Sequence, residues 1–204
     1  MPEILKIFDE NYKQIGTKSR DEVHKQGYWH EVFHCWVLQK KEDEWLIYFQ
    51  LRSKNKKDYP NQFDITAAGH LLATESVEDG VRELQEEIGL TVAFNDLTSL
   101  GVIQYVIDNK YIKDYEFANV FIYELQGSIE DFQLQIEELD GMFYGKLADF
   151  MELAKGLREN IQITGYQLDN NKKRYINKHV ALTDMAALPQ QYLHSFLSKL
   201  ENKL

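Results

Sequence analysis

The chain has 204 residues, of which 44% are hydrophobic and 13% aromatic. That is enough apolar material for one packed domain, and it excludes a disordered chain. The 33 acidic residues outweigh the 23 Lys and Arg and give a net charge of −10. This argues against nucleic acid as a partner, because cations that neutralise phosphates supply most of that affinity.

The single cysteine, Cys35, excludes an intramolecular disulfide framework and a zinc site built from several thiolates. The N-terminus lacks the apolar stretch of a signal peptide, and no run has the apolar length of a membrane span. We therefore expect a cytoplasmic protein with no membrane partner.

Short strands outnumber helices in the predicted secondary structure. In chain order the strand-like runs are 3–8, 12–17, 29–39, 44–53, 63–67, 99–107, 117–125, 139–145 and two runs that flank LDNNKK. Helical patterns cover about 20–26, 76–88, 147–155 and 190–203. Strands and helices that interleave in this way predict an α+β fold, an α/β/α sandwich with a mixed sheet.

We expect one domain over 1–204, with its core at about 28–155, an N-terminal hairpin and helix over 1–27, and a C-terminal extension over 156–204. In the last helix Tyr192 and Phe196 belong to an i, i+4, i+8 stripe that must pack on something. The stripe could cover its own domain, shape a substrate pocket, or bury itself against a second copy in a homodimer.

The segment 76–88 is the most informative helix. Val77, Val81, Leu84 and Ile88 fall on one apolar stripe, and Gly89 is a typical helix stop. Ser76 stands where an N-cap belongs, with Asp79 as its capping-box partner.

Three carboxylates, Glu83, Glu86 and Glu87, crowd the opposite face of this helix. Like charges at this spacing repel one another, and a hard divalent cation such as Mg²⁺ would relieve the repulsion. The alternative is a solvated acidic surface, which is common on Glu-rich helices.

Upstream, the string AAGHLLATE places Gly69 six residues before Glu75. The sequence from Gly69 through Glu75 and Arg82 to Leu90 resembles the Nudix box, G-x5-E-x7-R-E-U-x-E-E-x-G-U, in which U is aliphatic. Every fixed position is filled in order, except that six residues rather than seven separate Glu75 from Arg82.

This resemblance implies a Nudix fold and Mg²⁺-dependent hydrolysis of a diphosphate linkage, with Mn²⁺ as an alternative ion. It implies that Glu83 and Glu87 are the principal metal ligands. Glu86 would be a third ligand or the base that activates water, and the backbone carbonyl of Ala68 would complete the metal shell.

The same resemblance assigns supporting roles. Arg82 would orient the carboxylates, and Glu75 would fasten the preceding loop to the helix. Gly69 would permit close approach of the backbone to the site.

Other segments resemble the type I isopentenyl-diphosphate isomerases and their hydrolase relatives within this superfamily. The basic loop RSKNKKDYP is similar to the loop that holds diphosphate in those enzymes, and Arg52 and Lys56 fall on its binding positions. The alternative is an ordinary soluble hairpin end.

His30, His70, Asp114 and Glu116 match ligand positions of the isomerase metal site. Together they could form a second site for Zn²⁺ or Mn²⁺. His24 lies near a third histidine position, but its spacing to His30 is one residue short. The alternative is that these histidines are hydrogen-bonded framework residues.

Ala68 departs from the isomerase pattern, which needs a cysteine there, and a methyl group cannot transfer a proton. The sequence therefore favours hydrolysis of a nucleoside diphosphate or a related small-molecule diphosphate over isomerisation. Glu138 is a candidate for the late glutamate that often serves Nudix chemistry. A non-catalytic nucleotide-binding sensor remains the third interpretation.

Overall fold

The computed structural model describes residues 2–110, 112–170, 172–186 and 188–204. The strands are β1 (Ile4–Phe8), β2 (Gln14–Ser19), β3 (Trp29–Lys41), β4 (Glu44–Arg52), β5 (Phe63–Ile65), β6 (Ala67–His70), β7 (Thr98–Asp108), β8 (Lys113–Glu124), β9 (Leu139–Lys146), β10 (Ile161–Asp169) and β11 (Lys172–Val180). The α-helices are α1 (Arg20–Gln26), α2 (Arg82–Ile88), α3 (Leu147–Ala154) and α4 (Gln190–Glu201). This mixed architecture confirms the predicted α+β fold class.

Strand β3 is the centre of the sheet and changes partners along its length. It pairs with β4 through Leu38–Lys41 and with β6 through Val32–Cys35, both antiparallel. On its other edge it runs parallel to β8. Strand β4 pairs with β9 along its other edge, and beyond Ile47 it leaves β3 and pairs with β5. The β3–β4 hairpin therefore opens toward one end.

Thr66 holds this opening together. Its hydroxyl donates to the carbonyl of Tyr48 on β4 at 2.6 Å and accepts the backbone N–H of Val37 on β3 at 3.0 Å. The predicted strand 63–67 is therefore two strands, because the chain crosses at Thr66 from one side of the hairpin to the other. The crossing delivers β6 next to helix α2.

The predicted helix 76–88 is shorter than expected. The structure forms a 3-10 turn over Glu78–Val81, and the α-helix begins at Arg82 rather than near Ser76. Gly80 lies in this turn against β3, where a Cβ would lie within 2.7 Å of the Phe33 side chain, so glycine allows the turn to pack closely on the sheet. Ser76 donates to the Asp79 carboxylate instead of capping an α-helix.

Helices cover both faces of the sheet. On one face, Leu84 and Ile88 of α2 pack with Phe33 and Val37 of β3. On the other face, α3 and α4 pack on Trp36 and on the apolar residues of β4. Side chains of a strand alternate between faces, so β3 contributes to both cores.

The apolar stripe of the C-terminal helix packs in cis. Four of its residues are fully buried within the single chain: Tyr192, Leu193, Phe196 and Leu200. The Phe196 ring stacks on Trp36 with centroids 4.8 Å apart. Of the three alternatives for this stripe, the structure therefore selects its own domain. Among the described residues, no helix is long and apolar enough to cross a membrane.

Truncation of Phe196 tests the contribution of the extension to the core. We expect Phe196→Ala to lower the free energy of unfolding by about 3–5 kcal/mol, the usual cost of a cavity left by a buried phenylalanine. Urea denaturation measures the change, with Leu157→Ala as control because that side chain is 75% exposed. An unchanged midpoint for Phe196→Ala would contradict the observed packing.

Candidate functional site

A cavity of about 740 Å³ opens at the splayed end of the β3–β4 hairpin. It is lined by residues of β6, α2 and β8, by the loop after β4 and by the segment before α4. All of the predicted site residues except His30 are among its lining residues. His30 lies directly behind this wall, fully buried and 3.4 Å from the lining residue Asp114.

Glu83 and Glu87 reach the cavity against the backbone of β6. Glu83 is 8% exposed and packs so closely on Gly69 that a Cβ there would lie 2.1 Å from its Oε1. The Oε2 atom of Glu87 accepts the backbone N–H of Ala68 at 3.1 Å and the Nε2 N–H of Gln50 at 3.4 Å. A side chain at position 69 would therefore displace the Glu83 carboxylate from its place on β6.

Arg82 connects the helix to the loop that precedes it. Its Nε and one terminal nitrogen donate to the two oxygens of Glu75, at 2.6 and 3.0 Å, and it also donates to the carbonyl of His70 at 3.0 Å. Its other terminal nitrogen donates to Glu83 at 2.5 Å and to Glu86 at 3.0 Å. Although the loop is one residue short, Glu75 still forms a bidentate pair with Arg82.

Burial raises the pKa of Glu83 to about 7, and it raises the pKa of Glu87 to about 8 with a further contribution from the charge of Glu83. By contrast, the hydrogen bonds from Arg82 lower the pKa of Glu75. Two carboxylates that resist ionisation side by side are well suited to share a divalent cation.

The two predicted diphosphate-binding cations also line the cavity. Arg52 donates to Asp64 at 2.8 Å and to the carbonyl of Asp58 at 2.9 Å. Lys56 forms an ion pair with Glu138. The structure thus joins the predicted cation Lys56 to the predicted late glutamate, a contact that sequence spacing does not indicate.

A second cluster lies at the ends of β3 and β8. His30 Nε2 is 3.4 Å from Asp114 Oδ1 and 4.0 Å from Glu116 Oε1. His30 Nε2 and Asp114 Oδ1 are buried and, within the described ranges, have no hydrogen-bond partner. Buried polar atoms are rarely left unpaired, so this pair is a suitable place for a bound cation.

His24 and His70 complete a group of three imidazoles with His30. The Nε2 atoms of His24 and His70 are 3.2 Å apart, and candidate ligand atoms of the three histidines lie within 4.8 Å of one another. Burial lowers the pKa of each of these histidines. Neutral imidazoles are the form that binds metal ions.

Sequence reasoning undervalued His24 and missed Tyr105. His24 comes from helix α1. Although its spacing to His30 is one residue short, the fold brings its imidazole to those of His30 and His70. The hydroxyl of Tyr105 donates to Glu116, and burial raises the pKa of Glu116 well above its ordinary value. Alternation along β7 could have indicated that Tyr105 faces inward, but not that it meets Glu116.

Cys35 is fully buried between the sheet and α2, and it does not line the cavity. Burial raises the pKa of its thiol, so it has the environment of a core residue.

The profile of the NUDIX domain matches residues 28–162 of the chain. The chain belongs to the Nudix family. An uncharacterised Nudix hydrolase of Clostridium acetobutylicum is 37% identical over 173 residues, which cover 85% of this chain and 84% of that protein. An isopentenyl-diphosphate Delta-isomerase of Photorhabdus laumondii is 27% identical over 123 residues, or 60% of this chain and 67% of its own length.

Solved structures show the same fold. A Deinococcus radiodurans protein has a TM-score of 0.56 at 15% identity, covering 76% of this chain and 90% of its own. A MutT protein of Methanosarcina mazei has a TM-score of 0.51 at 15% identity, covering 86% and 95% of the two chains. The Nudix fold and the relation to isomerases confirm the resemblance read from the box and the basic loop.

The raised pKa values of Glu83 and Glu87 predict that the free energy of unfolding of this Nudix protein depends on pH when a chelator keeps the protein free of metal. Because the pKa values of Glu83 and Glu87 exceed 4.5 in the folded state, that state holds protons that the unfolded chain releases. The stability they contribute is complete below pH 4.5 and is lost as the pH rises toward 8. We expect Glu87→Gln to flatten this decline in urea titrations.

Glu78→Gln is the matched control, because Glu78 is exposed in the turn just before the same helix. It should keep the pH dependence of the wild type. Equal slopes for Glu87→Gln and the wild type would contradict the raised pKa.

Proposed function

We propose that this Nudix protein is a Mg²⁺-dependent hydrolase that cleaves the diphosphate linkage of a nucleoside diphosphate or a related X-linked diphosphate. The observation that carries the proposal is the contact of Glu83 with Gly69 and of Glu87 with Ala68, in a cavity that also holds Arg52 and Lys56. Carboxylates and cations that line the same cavity match a diphosphate with its metal ion.

The residues present fit such an ion. Glu83 and Glu87 offer hard oxygen ligands, and a cation bound between them would release the protons that their raised pKa values hold. The hydrogen bonds that Gln50 and Ala68 donate to Glu87 both end on its Oε2 atom rather than on Oε1. The Ala68 carbonyl stays a predicted ligand, and Mn²⁺ would suit the same oxygen atoms.

When bound, Mg²⁺ would supply charge neutralisation of the diphosphate and polarisation of water. The chain would contribute positioning and proton transfer. Arg52 and Lys56 would hold phosphate oxygens, and Arg82 would keep Glu83 and Glu86 in place. Glu86, which is exposed, and Glu138, which pairs with Lys56, are the two candidates to accept the proton of water.

We further propose a second metal centre at His30, His70, Asp114 and Glu116, with His24 as an added ligand. Its support is the pair of buried, unpaired atoms on His30 and Asp114. A mixed set of imidazoles and carboxylates suits Zn²⁺ or Mn²⁺ better than Mg²⁺.

Phosphate release from a panel of nucleoside diphosphates, dinucleotides, nucleotide sugars and isopentenyl diphosphate tests the hydrolase. With Mg²⁺ or Mn²⁺ present, we expect Glu83→Gln and Glu87→Gln to lower turnover by about 10²-fold or more, the scale of a lost preorganised electrostatic group. Glu78→Gln should retain wild-type turnover, because its side chain is exposed outside the cavity.

Near-wild-type rates in Glu87→Gln would reject the assignment. No turnover of any panel member, with metal bound and the fold intact, would favour a non-catalytic sensor. Conversion of isopentenyl diphosphate to its isomer would favour the isomerase, although Ala68 offers no proton-transferring group.

The second centre predicts a change in metal stoichiometry. His30→Ala should reduce the Mn²⁺ or Zn²⁺ bound at saturation by one ion per chain, measured by elemental analysis after desalting. His194→Ala is the control, because His194 is exposed on α4 and does not line the cavity. Equal metal content in His30→Ala and the wild type would remove the second centre from the proposal.

A further inference from the structure

The C-terminal helix reaches the second cluster through one side chain. Tyr192 of α4 is fully buried, and its hydroxyl lies 3.1 Å from Nδ1 of His34 and 3.1 Å from Nε1 of Trp36. His34 and Trp36 both come from β3. Tyr192 lies beyond residues 28–162, the part of the chain that matches the NUDIX profile.

The protons of this group can be assigned from its chemistry. An indole nitrogen only donates, so the hydroxyl oxygen of Tyr192 accepts the N–H of Trp36. The hydroxyl proton then needs an acceptor, and among the contacts of the described residues His34 Nδ1 is the one that can accept it. A neutral imidazole that accepts at Nδ1 carries its proton on Nε2.

The Nε2 atom of His34 faces Glu116. It is 3.8 Å from Glu116 Oε2, the oxygen that also accepts the hydroxyl of Tyr105. The Tyr105 ring in turn packs edge-on against Tyr192, with centroids 5.1 Å apart. Tyr192 therefore contacts both residues on the Oε2 side of Glu116, while Oε1 is the oxygen nearer His30.

We propose that Tyr192 is a positioning residue for the second centre. Its hydroxyl fixes His34 as the Nε2–H tautomer, which directs an N–H toward Glu116 Oε2 and leaves Oε1 facing His30 and Asp114. The metal-binding part rests on the second centre proposed above, whereas the tautomer of His34 does not. Partners that orient a metal ligand in this way typically contribute 10- to 100-fold to metal affinity.

Tyr192→Phe separates positioning from packing, because it removes the hydroxyl and keeps the ring. Tyr166→Phe is the matched control: Tyr166 is also fully buried, and its hydroxyl donates to the carbonyl of Phe132 at 3.4 Å, outside the cavity. Tyr192→Phe loses the contacts to His34 and Trp36, and Tyr166→Phe loses one hydrogen bond, so the control reports the effect of removing a buried tyrosine hydroxyl away from the cavity.

The first readout is nitrogen NMR of metal-free protein at one neutral pH, with the His34 signals assigned by their loss in His34→Gln. We expect a single Nε2–H tautomer for His34 in the wild type and in Tyr166→Phe, and a mixture of tautomers in Tyr192→Phe. Unchanged His34 signals in Tyr192→Phe would overturn the inference.

The second readout is Mn²⁺ affinity of the site that His30→Ala removes. We expect a loss of about tenfold in Tyr192→Phe and none in Tyr166→Phe. A changed tautomer with unchanged Mn²⁺ affinity would overturn the metal-binding part. If the wild type binds no ion that depends on His30, the second centre fails, and NMR alone decides whether Tyr192 positions His34.

Discussion

The change of partners along β3 is the constraint on which the candidate site depends. A hairpin paired along its full length would leave no space between β3 and β4. Because β4 leaves β3 after Ile47 and pairs along that edge with β5, the first half of β3 is free to pair with β6. Thr66 satisfies the backbone at the crossing, where polar groups would otherwise be buried without partners.

This crossing explains why so many polar groups meet in one place. Strand β6 carries Ala68 and Gly69 to the carboxylates of α2 and carries His70 to the histidine cluster. The two candidate metal centres are therefore neighbours, built on adjacent residues of one short strand. Arg82 reinforces the arrangement, since it contacts the helix carboxylates and the carbonyl of His70.

Several cations of this acidic chain are gathered at the same cavity. The chain carries a net charge of −10, yet Arg52, Lys56 and Arg82 all line the cavity. Each is already paired with a carboxylate, Asp64, Glu138 or Glu75 among them. An entering diphosphate would compete with Glu138 for Lys56, and this exchange would free a carboxylate at the moment when phosphate binds.

Local patterns predicted the parts of the site that depend on local spacing. The apolar and acidic faces of helix α2 follow from periodicity, which determines the face that each side chain occupies. The roles of Arg82 and Glu75 follow from the resemblance to the Nudix box. The close packing of Gly80 on Phe33 in the 3-10 turn before that helix was not predictable, because the two residues are distant in sequence. The same holds for the crossing at Thr66, which is defined by contacts to two other strands.

The contact of Tyr192 with the second cluster joins residues that are far apart in sequence. Tyr192 meets His34 across 158 positions, and no periodicity within α4 distinguishes a tyrosine that only packs from one whose hydroxyl reaches a polar cluster. The sequence predicted the apolar stripe of α4 but not the surface on which it packs. Helix α4 buries Phe196 on Trp36 and places Tyr192 beside His34, which lies two residues before Trp36 on β3. His34 in turn faces Glu116, so the packing that stabilises the sheet also determines the surroundings of Glu116. In this protein the C-terminal extension is thus continuous with the core that supports the candidate site.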